Sequence, residues 1–424
     1  MHFRRIKGTQ DILPADVGKW HYVEQVIREE MAIYNFKECR TPIFEQTELF
    51  ARSIGEGTDI VGKEMYTFTD RGKKSLTLKP EMTAPIMRAF LENNLNSLGP
   101  LTKIYYIAPL FRQENPQAGR LRQFHQFGAE ILGSGAPELD AEVILLAMQI
   151  YTKLGLTGLN LMLNSVGDPE SRQKYRIVLQ DFIRPNLSRY CKDCRDRFET
   201  NPLRILDCKV ESCRKLNAGA PRLIDSLTPA ASRHFEDVRE ILKANGIGYA
   251  LNPYLVRGLD YYTHTVFEIT SSHLGAQDAI CGGGRYDLLA RELGGADTPA
   301  VGFASGIERL LMVMSAQDLL PADDGAIDVY LCALGPSAGR EMTVWSEKIR
   351  GLGLKTDRDY LGRSMKAQLR EANRLKASIV LILGDDEMKE HEFAVKDMKN
   401  SGQQMIPFDG IESFLLQFFR QDLP

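Results

Sequence analysis

The sequence predicts a large domain of mixed helices and antiparallel strands followed by a smaller α/β domain, on three observations. The chain has 424 residues, too many for one core at about 150 residues per domain. Helix-period and strand-period segments are interspersed through its first three quarters. After the turn-rich run Pro321-Ala322-Asp323-Asp324-Gly325, strand and helix alternate regularly to the end. The expected domains are residues 1–322 and 326–424, with an inserted, mostly helical module at about 168–244.

Taken in order, Asp16 to Tyr34 places Trp20, Val23, Val26 or Ile27, Met31 and Tyr34 at spacings of three and four, the mark of an amphipathic helix. Lys37 to Phe50 is β-rich, but Pro42 lacks the N–H that a central ladder needs, so an edge or interface is expected. Tyr66 to Phe68, Leu76 to Leu78 and Lys103 to Phe111 read as strands, and Glu138 to Leu154 as a second long helix. Between Asp168 and about Ala244 the chain becomes charged and helical and carries four of the seven cysteines, hence the inserted module. Beyond the linker come strand Ile327 to Leu334, helix Arg340 to Gly351, a further strand, helix Ser364 to Lys376 and strand Ser378 to Leu383.

Hydrophobic residues make up 43% and charged residues 26%, which excludes disordered and collagen-like classes. With 53 Lys and Arg against 56 Asp and Glu, the net charge is -3, so any nucleic-acid contact must be a focal patch. Met1 to Pro14 carries Arg4, Arg5, Lys7 and Asp11 with no apolar segment behind them, and a signal peptide is not expected. No apolar run approaches the roughly 18 residues of a spanning helix, so no membrane contact is expected. An odd set of seven cysteines reads as reduced thiols in a cytoplasmic enzyme.

Phe111-Arg112-Gln113-Glu114, the polar loop Asn115 to Gly119, and Arg120 to Glu130 read as strand, loop and returning strand. Alternation on the return sets Arg122, Phe124, Gln126, Gly128 and Glu130 on one face, too polar a set for a core and in need of a partner. Gly302 to Leu310 joins a small-residue strand to a helix and presents Arg309; two arginines and an aromatic suit a nucleotide.

These segments, with Gly8-Thr9-Gln10-Asp11-Ile12-Leu13-Pro14, Pro80-Glu81-Met82-Thr83, Leu255-Val256-Arg257-Gly258-Leu259-Asp260-Tyr261-Tyr262 and Gly282-Gly283-Gly284-Arg285-Tyr286-Asp287, together resemble the class II aminoacyl-tRNA synthetases, and within them the bacterial type of histidyl-tRNA synthetase. The resemblance covers nearly the whole chain. It implies an α+β catalytic domain on a six-stranded antiparallel sheet, a homodimer formed partly through the Pro42 region, and a smaller α/β C-terminal domain that binds the anticodon. The implied reaction joins histidine to ATP, with Mg2+ on the pyrophosphate end, and transfers the histidyl group to the terminal adenosine of its tRNA.

On this resemblance Arg112 grips the α-phosphate and Arg257 bridges the histidine carboxylate and that phosphate. Phe124 and Arg309 sandwich adenine, with Arg309 or Arg120 near the terminal phosphates. Glu81, Thr83 and Gln126 receive the α-ammonium, Glu130 accepts the ring N–H, Tyr262 addresses the other ring nitrogen, and Tyr261 and Tyr286 belong to the pocket wall. Such a polar pocket leaves groups unpaired around an apolar amino acid and rejects it without editing. Taken singly, each residue has a plainer reading: Glu81 as a helix N-terminal carboxylate, Tyr262 as a core aromatic, Gly282 to Gly284 as a bulge rather than room for backbone to approach the histidine. Glu308 is either an ion-pair partner of an active-site arginine or a ligand contact, and His125, alternating away from the nucleotide face, a packed or hydrogen-bonded residue.

Cys191-x-x-Cys194 with Cys208 and Cys213 has the outline of a zinc ribbon. The second gap, of four residues, is long for a knuckle, and the resemblance implies no required metal there, so reduced structural thiols and no tightly bound metal are expected. From Arg340 to Lys376 there are ten basic and five acidic residues, and six acids crowd Asp385 to Asp397, a separation suited to a focal RNA contact or to a solvated helix face. The competing reading is a non-catalytic histidine-binding regulatory subunit of ATP phosphoribosyltransferase, which shares the catalytic fold but typically lacks the C-terminal domain and the second arginine, here Arg257.

Overall fold

Proline opens the first long helix, Pro14–Ile33, where its missing N–H would have had no helical partner. Its buried stripe is Trp20, Val23, Ile27 and Met31. The structure, a computed structural model, describes residues 3–420 apart from 56–57, 59, 118, 276–277, 323–324 and 401. Asp323 and Asp324 of the expected linker and Ala118 of the expected polar loop lie outside the described residues. The chain divides into two units, Met1–Pro321 and Ala322–Pro424.

The strands of the first unit are Lys37–Glu38 (β1), Phe44–Gln46 (β2), Tyr66–Thr69 (β3), Ser75–Leu78 (β4), Thr102–Phe111 (β5), Gln123–Leu132 (β6), Leu159–Ser165 (β7), Ala250–Leu251 (β8), Thr263–Ser271 (β9), Ala279–Arg285 (β10) and Ala300–Gly306 (β11). Among the described residues the main sheet has the order β1-β5-β6-β11-β10-β9-β7-β8. The six strands from β5 to β7 in that order are antiparallel throughout, and the two-residue strands β1 and β8 add parallel edges. The predicted six-stranded antiparallel sheet is therefore present with a short extension at each side.

One face of this sheet is core. Phe127, Ala129 and Ile131 of β6 and Val301 and Phe303 of β11 pack with Pro14–Ile33 and with Val143, Ile144, Ala147 and Ile150 of helix Pro137–Lys153. The Lys37 to Phe50 segment is not one strand: β1 and β2 flank Pro42, and Thr47–Ile54 is helical. β2 joins β4 and β3 in a separate three-stranded sheet, whose Phe44 and Phe68 side chains, with that of Ile43 just before β2, stay exposed. The inserted segment is helical from Pro169–Ile183 through Lys192–Thr200, Leu203–Leu206 and Glu211–Asn217 to Pro229–Ala244, around its own core of Tyr175, Leu179, Phe198 and Leu223.

The second unit holds Val329–Ala333 (β12), Thr356–Arg358 (β13), Ile379–Leu383 (β14), Glu392–Asp397 (β15) and Gln403–Pro407 (β16) in the order β13-β12-β14-β15-β16. The first three are parallel and the rest antiparallel. β14 reads Ile-Val-Leu-Ile-Leu and is buried throughout, because helices cover both faces. Met342, Trp345 and Ile349 pack one side, Ala372 and Leu369 the other.

Candidate active site

Glycine makes the floor of the site. Glu130, Gly128 and Gln126 of β6 stand opposite Gly302, Ala304 and Gly306 of β11, so the solvent-side face of the sheet carries polar groups on one strand and almost nothing on the next. A Cβ on Gly302 would overlap the Glu130 carboxylate, and one on Gly128 would meet the Tyr106 ring. The resulting hollow of about 690 Å³ is lined by every residue assigned above to nucleotide or histidine, a size usual for small-molecule sites. Gly8, at φ 89°, latches the N-terminal segment beneath the loop after β5: its carbonyl accepts from the Arg122 N–H at 2.7 Å, and a side chain there would strike Pro116 and Arg122.

One end of the cavity is cationic. Arg112 donates from Nε to the Pro80 carbonyl at 2.9 Å, and its guanidinium lies 5.4 Å from the centre of the Phe124 ring. Arg120 pairs with Glu114 at 3.0 Å, and Glu114 also stands 3.9 Å from Arg112. Arg309 donates to the carbonyls of Gly119 at 2.9 Å and Ala279 at 2.6 Å. Burial holds Arg309 below the ordinary arginine range, and the neighbouring charges of Arg120 and Arg112 push the same way while Glu114 opposes them. Three guanidiniums against Glu114 and Glu268 leave a net positive field that favours an anion. Arg257, across the cavity, pairs with Glu268 on β9. Burial opposes its charge, Glu268 more than restores it, and its Nε has no hydrogen-bond partner among the described residues.

The other end is a polar pocket whose Glu81, Glu130, Tyr261 and Tyr286 are buried. Glu81 accepts from the backbone N–H groups of Thr83 at 2.6 Å and Ala84 at 3.0 Å and so caps helix Thr83–Glu92. Burial still raises its carboxyl above the usual range. Thr83 donates its hydroxyl to Glu130 at 2.9 Å, and Tyr286 donates to the other Glu130 oxygen. Burial pushes Glu130 up to about 8, against the pull of these two donors, and nearby Glu81 adds to the rise. Tyr261 packs at a tilt against Tyr262, 4.8 Å between ring centres, and edge-on to Tyr286 at 5.5 Å. The Tyr262 hydroxyl is pushed up to about 12 by burial, with Arg257 pulling against it.

Comparisons with known proteins agree with one another. The Histidyl-tRNA synthetase family model matches residues 8–310, and an Anticodon binding domain model matches residues 328–418. A protein named histidine--tRNA ligase from Thermoanaerobacter pseudethanolicus is 49% identical over 407 residues, covering 96% of this chain and 97% of its own length. The chain belongs to the histidyl-tRNA synthetase family. A histidine--tRNA ligase from Desulforamulus reducens is 48% identical over 411 residues, covering 97% of this chain and 98% of its own. The crystal structure of apo histidyl-tRNA synthetase from S. aureus superposes with a TM-score of 0.83 at 38% identity, over 97% of this chain and 99% of that one.

Several details of this histidyl-tRNA synthetase chain differ from the sequence reading. The space beside Gly282 is taken by the Arg257 guanidinium, and that beside Gly284 by Tyr262, so these glycines make room for the protein's own side chains. Among the described residues Glu308 pairs with no arginine: it accepts from the His125 backbone N–H at 2.9 Å and meets His125 Nδ1 at 2.9 Å. His125 packs edge-on against Trp20, 4.9 Å between centroids, as its alternation required. Arg285, in the glycine motif, is fully buried and uses every donor: on Asp140 twice, on Asp287, and on the carbonyls of Ser134 and Ala136. It pins helix Pro137–Lys153 to β10.

Sequence reasoning missed Glu268, and it missed Tyr106, whose buried hydroxyl has no partner among the described residues and lines the cavity. Strand alternation from Ile104 would have put Tyr106 on the Glu130 face, since the register sets Ile104 opposite Glu130 and Tyr106 opposite Gly128. The spacing argument against a metal also fails. Irregular chain at Lys209 and Val210 leads into helix Glu211–Asn217, whose first turn carries Cys213 back, so all four ligand sulfurs lie within 4.8 Å of one another.

Proposed function

We infer that the chain is a histidine--tRNA ligase in which a histidine carboxylate oxygen attacks the α-phosphorus of ATP. One O–P bond forms, the bond to the β-phosphate bridge breaks, and pyrophosphate leaves. A ribose hydroxyl of the tRNA's terminal adenosine then attacks the acyl carbon and releases AMP. Bringing a carboxylate to a polyphosphate needs fixed cations, and guanidinium forks grip two oxygens each. Arg112 and Arg257 take the reacting phosphate and carboxylate, with Arg120 and Arg309 on the rest of the nucleotide and Phe124 against adenine. ATP enters as its Mg2+ complex, the ion being part of the substrate.

The observation that carries this reading is the pairing, in one cavity, of an anion-seeking arginine cluster with a polar pocket of Glu81, Thr83, Gln126, Glu130, Tyr261, Tyr262 and Tyr286. Histidine brings an ammonium, a ring donor and a ring acceptor. Those groups match the carboxylates and tyrosine hydroxyls available, and the Nε of Arg257 and hydroxyl of Tyr106, without hydrogen-bond partners among the described residues, await bonds of their own.

For the second unit, residues 326–424 as the tRNA-binding domain, support comes from an exposed Tyr360 with the Arg358 guanidinium 4.6 Å from its ring centre. A stacked aromatic beside cations suits unpaired anticodon bases. Exposed Ile43, Phe44 and Phe68 favour a homodimer contact near Pro42. No helix among the described residues is long and apolar enough to cross a membrane, in keeping with a cytoplasmic site of work. The regulatory-subunit reading is disfavoured by near full-length relatives named as ligases and by the presence of Arg257. Charging of tRNA with histidine by the purified chain tests the proposal; histidine binding without charging would favour the regulatory subunit.

A further inference from the structure

Four cysteines of the inserted module converge where the reaction needs no thiol. Cys191 caps helix Lys192–Thr200, Cys194 lies in its first turn, Cys208 follows helix Leu203–Leu206, and Cys213 rides on Glu211–Asn217. Cys194, Cys208 and Cys213 are buried, and all four are unbridged. Their sulfurs lie within 4.8 Å of one another, with Cys191 and Cys208 at 3.8 Å. A tetrahedral zinc with Zn–S bonds of about 2.3 Å sets its sulfurs about 3.8 Å apart. Backbone N–H groups already point at the sulfurs: Cys191 donates to Cys213 at 3.3 Å, Cys194 to Cys191, and Val210 to Cys208. Such donors offset thiolate charge as the outer partners of a metal site do.

We propose that Cys191, Cys194, Cys208 and Cys213 form a structural zinc site that sets the inserted module against the catalytic cavity. Zn2+ replaces the thiol protons, which pass to solvent, and leaves a tetrathiolate of charge -2. Residues 189–215 hold eight basic and five acidic side chains, a surplus that offsets it. With four protein sulfurs and no open position the metal is structural. Its loop reaches the site: Asp207, Cys208, Lys209 and Arg214 line the cavity. Arg204, 3.6 Å from Asp207, donates to the backbone carbonyl of Arg257 at 3.2 Å. The metal thus ties the backbone that carries Arg257 to a cross-linked loop.

The test is metal analysis of the full-length protein, purified without chelators, with Co2+ substitution alongside. One zinc per chain is expected. Cobalt should give the strong visible bands of a tetrahedral thiolate site, and a mercurial thiol reagent should release one zinc for four thiols titrated. Cys39→Ser, outside the cluster, should keep the zinc, whereas Cys208→Ser with Cys213→Ser should lose it, and metal removal should lower the melting temperature by at least about 5 °C. Should the double variant fail to fold, the cobalt spectrum of the unaltered chain decides. All four cluster thiols still free, and so all seven thiols of the chain titratable with no zinc bound, after incubation with zinc and gel filtration, disulfides within the cluster, or iron in place of zinc would each overturn the proposal.

Discussion

The guanidinium of Arg257 occupies the space that a side chain on Gly282 would fill: a Cβ there would lie inside van der Waals contact with its Nη2. Gly282→Ala therefore tests Arg257 without touching it. Histidine-dependent exchange of pyrophosphate into ATP is expected to fall by about 10²-fold or more, as when one oriented donor to a developing charge is lost. Melting temperature should change little. Arg257→Lys should show a similar deficit, because a point charge does not reproduce a bidentate fork. Near-normal exchange in both variants would remove Arg257 from the transition state.

Glu130, raised to about 8 by burial, links pH to stability. An ordinary glutamate titrates near 4.5, so between these values the folded protein holds a proton that the unfolded chain has released. The stability this proton confers is complete below about 4.5 and is lost as pH rises through about 8. Glu130→Gln cannot lose it. The melting temperature of the variant, relative to the parent, should rise between pH 5 and 8 and then level off. In the same variant KM for histidine should rise about 10-fold to 10²-fold with KM for ATP nearly unchanged. A pH-independent difference would place the titration elsewhere.

Asp140 and Arg285 form an ion pair with no exposure on either side chain, and His234 adds a contact to Asp140 at 3.2 Å. Asp140→Asn leaves a buried guanidinium short of its counter-charge and should cost about 3–5 kcal/mol. Denaturant titration reads the loss directly. Replacing both residues together with apolar ones of similar size should recover much of it, because the uncompensated charge is then gone; equal losses in the single and double variants would contradict that cause.

A truncation ending near Ala322 retains Arg112, Arg257 and Arg309. Histidine-dependent pyrophosphate exchange should persist, while charging should fall mainly through a higher KM for tRNA, since the Arg340 to Lys376 basic stretch goes with the second unit. Proportional losses in both activities, in a truncated protein shown to keep its oligomeric state, would mean that the second unit only supports the catalytic one.

Much of this architecture was legible because its signals are local. Helix Pro14–Ile33 follows from its apolar spacing, and the β5–β6 hairpin from its alternation, which also put Phe124, Gln126 and Glu130 on one face. The misses are tertiary. Arg285 sits in a glycine run that reads as ligand-facing, and only Asp140, far upstream, absorbs its charge. Glu268 lies on a strand among apolar residues with nothing nearby to tie it to Arg257. The cysteine cluster was judged on spacing and on the resemblance, neither of which shows that irregular chain at Lys209 and Val210 leads into a short helix that closes the gap. The split of the Lys37 to Phe50 segment at Pro42 was half legible: proline argued against a central strand, but the helix after Gln46 depends on burying Phe50 and Ile54.

The account stands or falls on which amino acid the cavity activates. The most direct measurement is ATP–pyrophosphate exchange by the purified protein with each of the twenty amino acids in turn, at equal concentration and with Mg2+. Histidine alone should support exchange above background, because no other side chain pairs the ring-facing groups Glu130 and Tyr262. Exchange driven equally well by another amino acid, or none with histidine although it binds, would contradict the assignment.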